Sequence, residues 1–191
     1  MTNAGMDVGT RRRIVVGVDD SSGGLSALRW AVRQARLSGS QLVAVRSWAL
    51  GLPRHGGRRH RRKHHSPVVL LFAGNEQRLE SAEIVRQAFR SAVGAVPRDL
   101  ALVIETPEGD PGAALTGAAI ADGDLLVVGT ERGQSAKRLV HGSVSGYCCQ
   151  HARCPVVVVP AAAAADGAGA IAPSRALVTS LNPGRPVRGQ S

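Results

Sequence analysis

Two stretches of the chain combine residue types that could do chemistry. The first is Asp19-Asp20-Ser21-Ser22-Gly23-Gly24, polar and glycine-rich, directly after the β-branched run Ile14-Val15-Val16-Gly17-Val18. The second leaves the apolar run Leu125-Leu126-Val127-Val128 at Gly129, passes Arg132, Gly133 and His141, and enters a helical pattern through Gly142-Ser143-Val144-Ser145. Glycine lets a backbone approach a phosphate closely, and the free N–H groups of a helix start, aided by the helix dipole, favour an anion. That is the chemistry of a phosphate cradle. Taken alone, each residue also has a plainer role. Asp19 can serve as a helix N-cap, and Gly129 and Gly142 can be simple turn glycines after a strand.

Other candidates are weaker. Ser143 has no nucleophile-elbow pattern around it and no acid nearby, so capping or phosphate binding suits it better than catalysis. His141 reads as a solvent-facing loop histidine. Cys148, His151 and Cys154 stand three apart and invite a zinc reading, but a fourth ligand is missing and the helical pattern turns Cys148 toward the core; no metal is expected. Residues 54–65 carry six Lys/Arg, four His and no acid. Without aromatics to stack bases, nucleic acid or another polyanion would meet that run only through phosphate, without regard to sequence and with strong salt sensitivity. The reading preferred for it is a solvated basic loop.

These residues need elements to hold them. Residues 14–18 read as a strand, and Leu28, Ala31, Val32 and Ala35 recur at helical spacing until Gly39. Residues 41–47 form a second strand, and two strands joined by a helix imply a parallel unit with a right-handed crossover. Residues 51–66 break the rhythm and read as a mobile loop. A helical pattern runs from about Glu76 to Val93, then a strand over 100–105, a helix opened by Asp110-Pro111 and continued by 115–121, a strand over 125–128, a short helix over 143–151 and a strand over 156–159. This alternation predicts one α/β domain over residues 13–160 built on an open, doubly wound sheet. Residues 1–12 read as a flexible segment. Residues 161–191 are rich in Ala, Gly and Pro without periodicity and read as a disordered tail.

Composition agrees with this plan. A chain of 191 residues allows one ordinary domain plus tails. Aromatics make up 3%, so the core must be built from Val, Leu, Ile and Ala, as in buried parallel strands, and a base-stacking platform is excluded. The net charge of +10 comes from residues 54–65 and the two ends; the remainder holds 12 Lys/Arg against 12 Asp/Glu, so the folded part has no basic binding face. Three cysteines in one short stretch, two of them adjacent, fit a reducing compartment. The longest apolar runs are shorter than a membrane span and no stretch reads as a secretory signal, so a cytoplasmic location is expected.

At this point the chain resembles the universal stress proteins. The resemblance rests on Val15-Val16-Gly17-Val18-Asp19-Asp20-Ser21, Glu108-Gly109-Asp110-Pro111, Asp124-Leu125-Leu126-Val127-Val128-Gly129, Gly142-Ser143-Val144-Ser145 and His151-Ala152-Arg153-Cys154-Pro155-Val156-Val157-Val158-Val159. It implies a Rossmann-like sheet of five parallel strands in the order 3-2-1-4-5 with helices on both faces. It also implies an adenine nucleotide, ATP, as ligand and a regulatory role in a stress response. No base, nucleophile or metal-carboxylate cluster is placed to activate a water on the terminal phosphate, so no enzymatic activity is expected. Members that bind ATP carry G-x2-G-x9-G-[S/T]. Here Gly129 opens the motif and Gly142-Ser143 closes it, while Arg132 stands where the middle glycine belongs. Arg132 either crowds the phosphates or grips one with its guanidinium. By the same resemblance, Asp19, Gly17 and Ser47 lie against adenine and ribose, where a carboxylate can accept from a sugar hydroxyl. Val128 and Gly129 line the ribose-phosphate side, and Gly142, Ser143 and Val144 hold the phosphates. A homodimer through Val156–Val159 is implied as well, since an exposed apolar edge strand wants a partner. The alternatives are a family member that has lost ATP and acts through protein contacts, and a polyanion or nucleic-acid binder acting through residues 54–65.

Overall fold

The structure, a computed structural model, describes residues 12–49, 67–131, 143–161 and 177–179, with 67–73 and 177–179 as backbone alone. The β-branched runs form β1 (Arg13–Gly17), β2 (Gln41–Val45), β3 (Leu102–Glu105), β4 (Leu125–Thr130) and β5 (Val156–Pro160). Alternating with them are α1 (Ser22–Ser38), α2 (Pro67–Val93), α3 (Pro111–Ala118) and α4 (Val144–His151). The five strands pair in parallel in the order β3-β2-β1-β4-β5, as the resemblance implied.

Period-two alternation splits the strand residues between two buried layers. Ile14, Val16, Val127 and Val157 pack with Leu28 and Val32 of α1 and Val85 and Phe89 of α2. Val15, Val43, Leu126, Val128 and Val158 pack on the other face with Leu115 of α3 and Cys148 of α4. Because helices cover both faces, the strands read as unbroken apolar runs rather than alternating ones. Phe89 is the largest fully buried side chain, so Val, Leu and Ala supply nearly all of the core, as the composition required.

The helix starts follow from short polar caps. Ser21, Asp110 and Ser143 are the N-caps of α1, α3 and α4, and each side chain accepts from backbone N–H groups of the first turn. Gly39 closes α1 at φ 63°, the left-handed conformation that favours glycine. Among the described residues no helix is long and apolar enough to cross a membrane.

Two elements depart from expectation. α2 begins at Pro67, nine residues before Glu76. Pro67 is a good first helical residue, but Gly74 and Asn75 look like breakers in sequence. Gly74 has a packing reason: a Cβ there would stand 3.3 Å from the ring of Trp48. The second departure is β6 (Leu177–Thr179), within the stretch read as a disordered tail. It pairs antiparallel with β5, so the five parallel strands carry a sixth at that edge. Three residues are too few for periodicity to reveal a strand; the open edge of β5 supplies the pairing groups that sequence alone does not display.

Candidate functional site

In this topology β1 sends its connection toward β2 while β4 lies on its other side, so a crevice opens beyond the carboxyl ends of β1 and β4. A pocket of about 270 Å³ occupies it. Gly17, Val18 and Asp19 line it from the end of β1, and Gly24 from the first turn of α1. Val45, Arg46 and Ser47 contribute from the end of β2, and Val128 and Gly129 from β4. Pro111 and Leu115 of α3 and Val144 at the start of α4 complete the wall. Apolar walls with a few convergent polar groups are the usual make-up of a small-ligand site, and this volume lies just below the usual range of about 300–1,000 Å³.

Glycines shape the crevice by backbone approach. A Cβ on Gly129 would collide with the carbonyl of Gly23, and one on Gly23 would stand 2.7 Å from the Thr130 oxygen. The end of β4 and the first turn of α1 therefore touch backbone to backbone. Gly129 is neither a turn glycine nor a residue of positive φ; it is a packing glycine inside a strand. A Cβ on Gly24 would overlap the Asp19 carboxylate, and one on Gly17 would press on Leu115 at 3.0 Å.

Asp19 is exposed at the mouth, and the N-cap role considered for it belongs to Ser21 instead. Its Oδ1 accepts from the Ser21 N–H at 3.1 Å and the Ser21 hydroxyl at 2.6 Å, while the Ser21 Oγ in turn accepts from Gly24 N–H at 3.0 Å. The carboxylate is thus oriented by the cap, with Oδ2 given no partner by this network. α1 has no acid in its own first turn. Glu131 fills that place from the end of β4, accepting from the Ser22 hydroxyl at 3.1 Å and the Gly23 N–H at 3.4 Å, which suits the positive end of the helix. Arg46, directly after β2, is half-buried and donates to the Val18 carbonyl at 3.4 Å.

Six of the nine residues named from sequence, Gly17, Asp19, Ser47, Val128, Gly129 and Val144, therefore meet in one crevice. Ser143 lies beside it, its Oγ accepting from Gly146 N–H at 3.0 Å with Ser145 Oγ 3.3 Å away, the geometry of a cap rather than of a nucleophile paired with a base. Arg132 and Gly142 lie outside the described residues, as do His141 and the basic run 54–65. Sequence reading did not assign Val45, Arg46 and Leu115 to the site, nor Val18, Gly24 and Pro111, although these last three stand in the stretches it singled out. Arg46 had a signal, a charged residue directly at the end of a buried strand, and Pro111 had one in the Glu108-Gly109-Asp110-Pro111 turn; Leu115 had none, since its contact depends on how α3 crosses the sheet.

The cysteine–histidine trio is dispersed. Cys148 is buried in the core, while His151 is exposed and stacks on Tyr147 with ring centroids 4.1 Å apart. Among the described residues no group of three metal-ligating side chains comes together. Burial pushes the Cys148 thiol up from 9.0 to about 12, so at neutral pH it is an unreactive thiol. Between those two values the unfolded chain releases a proton that the folded chain keeps, and stability falls as pH rises. Urea midpoints at pH 8 and pH 10 should therefore drop less in Cys148→Ala than in wild type; equal drops would contradict the assignment. Part of the slope should remain, because burial also raises Cys154.

An open, doubly wound α/β sheet with its crevice at the β1/β4 switch point defines the class of Rossmann-like domains. Within that class the model of the universal stress protein family matches residues 10–160. The chain belongs to this family. Universal stress protein UspA from Lactobacillus plantarum is 23% identical, over 77% of this chain and 96% of that one, with a TM-score of 0.51. A universal stress protein family member from Burkholderia pseudomallei is 23% identical over 78% and 96%, with a TM-score of 0.48. A universal stress protein in complex with cAMP is 20% identical over 80% and 98%, with a TM-score of 0.46. No curated protein matches the chain.

Proposed function

We propose that this chain is a regulatory module that binds an adenine nucleotide, ATP, in the β1/β4 crevice as part of a stress response in the cytoplasm. The observation that supports it most is the convergence of apolar walls from Val45, Leu115 and Val128 with an oriented carboxylate, Asp19, at one mouth of a family-typical sheet. In this reading the base lies against the walls and Ser47, and Asp19 accepts from a ribose hydroxyl. The phosphates run past Gly129 toward the start of α4, where Gly142, Ser143 and Val144 receive them and Arg132 adds its guanidinium. With Ser143 committed to capping, the reading assigns binding and no catalytic step to these residues. A homodimer through Val156–Val159 belongs to the reading only with β6 off that edge.

Titration calorimetry with ATP tests the proposal. Saturable binding is expected in wild type, weakened about tenfold or more in Asp19→Ala through loss of a charged hydrogen bond. Circular dichroism should show the variant folded, since Asp19 is exposed. Absence of saturable binding at millimolar ATP would favour the family member that acts through protein contacts alone.

A further inference from the structure

β5 is the last of the parallel strands, and its outer edge would present unpaired N–H and C=O groups along a run of four valines. In the structure β6 takes that edge, Val156 opposite Thr179, Val157 opposite Val178 and Val158 opposite Leu177. It is the only antiparallel strand described. The direction is informative: when two copies of a chain meet edge to edge about a two-fold axis normal to the sheet, the facing strands run antiparallel. β6 lies on β5 in the sense that a second copy of β5 would take.

We propose that β6 is an internal cap on the β5 edge, occupying the backbone groups of Val156–Val158 that a second copy of this chain would otherwise pair with. Being part of the same chain, β6 meets the edge in an intramolecular step, whereas a second copy must meet it by a concentration-dependent encounter. Its own hold is slight, three ladder pairs set against the entropy of closing the chain between Val158 and Leu177. A cap so held keeps the edge from indiscriminate pairing and yet can leave it, which makes self-association a controlled event. The proposal stands apart from the nucleotide reading, none of whose site residues lies on β5 or β6.

Sedimentation across a concentration series, with full-length wild type and full-length Val178→Pro, tests it. Proline cannot donate to a ladder and disrupts so short a strand. Wild type should sediment as a 19.8 kDa monomer. Val178→Pro should double in mass, or reach half-association at a concentration about tenfold lower or more than wild type. Equal association of the two proteins, or a wild type that is already dimeric, overturns the cap. Hydrogen exchange on dilute, monomeric wild type decides independently should the variant fail to fold. The amides of Val156–Val158 that face away from β4 should be protected, and open-edge exchange rates there overturn the proposal.

Discussion

Gly129→Ala should destabilise the protein by about 3 kcal/mol, the upper part of the range for overpacking a tight contact. The added methyl group would meet the Gly23 carbonyl carbon and oxygen, and the Gly24 nitrogen at 2.6 Å. All three are backbone atoms of the first turn of α1, and backbone cannot rotate aside as a flexible side chain can. The helix start must lift from β4. Doing so strains the Ser22 and Gly23 contacts to Glu131 and the Ser21 to Gly24 cap, and with them the placement of Asp19. Gly117→Ala is the control: it lies in α3 with nothing within 4 Å of the added methyl group. A glycine-to-alanine change inside a helix is worth up to about 1 kcal/mol in the stabilising direction. Urea denaturation of both variants should thus give shifts of opposite sign. A Gly129→Ala midpoint within error of wild type would mean that the two backbones do not meet as described. Calorimetry under folding conditions should also show weaker ATP binding to Gly129→Ala than to Gly117→Ala.

The joint between Gly23 and Gly129 marks where sequence reading reaches its limit. Both glycines stand out in the chain, and Gly129 was legible as the place where a buried strand meets a ligand-facing loop. That its hydrogen is needed against Gly23 was not legible, because the contact spans more than a hundred residues and depends on the angle at which α1 crosses the sheet. Asp19 tells a similar story. Its position past a strand end was readable, while the cap went to Ser21, two residues on, since only a residue in extended conformation directly before the helix can reach the first-turn N–H groups. The strand order came from resemblance and the alternation from periodicity, both of which are properties of long segments. What escaped was short or tertiary: the opening turns of α2 behind Gly74 and Asn75, the three residues of β6, and the contribution of Leu115 to the crevice wall.

The remaining large effect lies away from the crevice. Asp124, immediately before β4, is buried and receives Arg13 from the start of β1, with Nη2 to Oδ2 at 2.6 Å and Nε to Oδ1 at 3.0 Å. The same guanidinium donates to the Ala118 carbonyl at 3.1 Å, and Asp124 Oδ2 also accepts from Ala121 N–H at 2.9 Å. One fork thus ties the end of α3, the turn before β4 and the start of β1. It anchors, from the amino ends of the strands, the two that frame the crevice at their other ends. Asp124→Ala removes the acceptor for two donors of Arg13 and for a backbone N–H, and a pair broken on one side costs about 3–5 kcal/mol where its site is buried. Arg13 keeps some contact with solvent, which places the expected loss near the lower figure. Asp124→Asn retains one acceptor oxygen and should lose less. Arg13→Met with Asp124→Leu, which removes both charges together, should recover part of the Asp124→Ala deficit, because no buried charge is then left unpaired. Urea midpoints of the four proteins give the comparison. Should Asp124→Ala unfold at the wild-type midpoint, the fork would be a surface pairing of small energetic weight, and the alignment of β1 with β4 would rest on the valine packing between them.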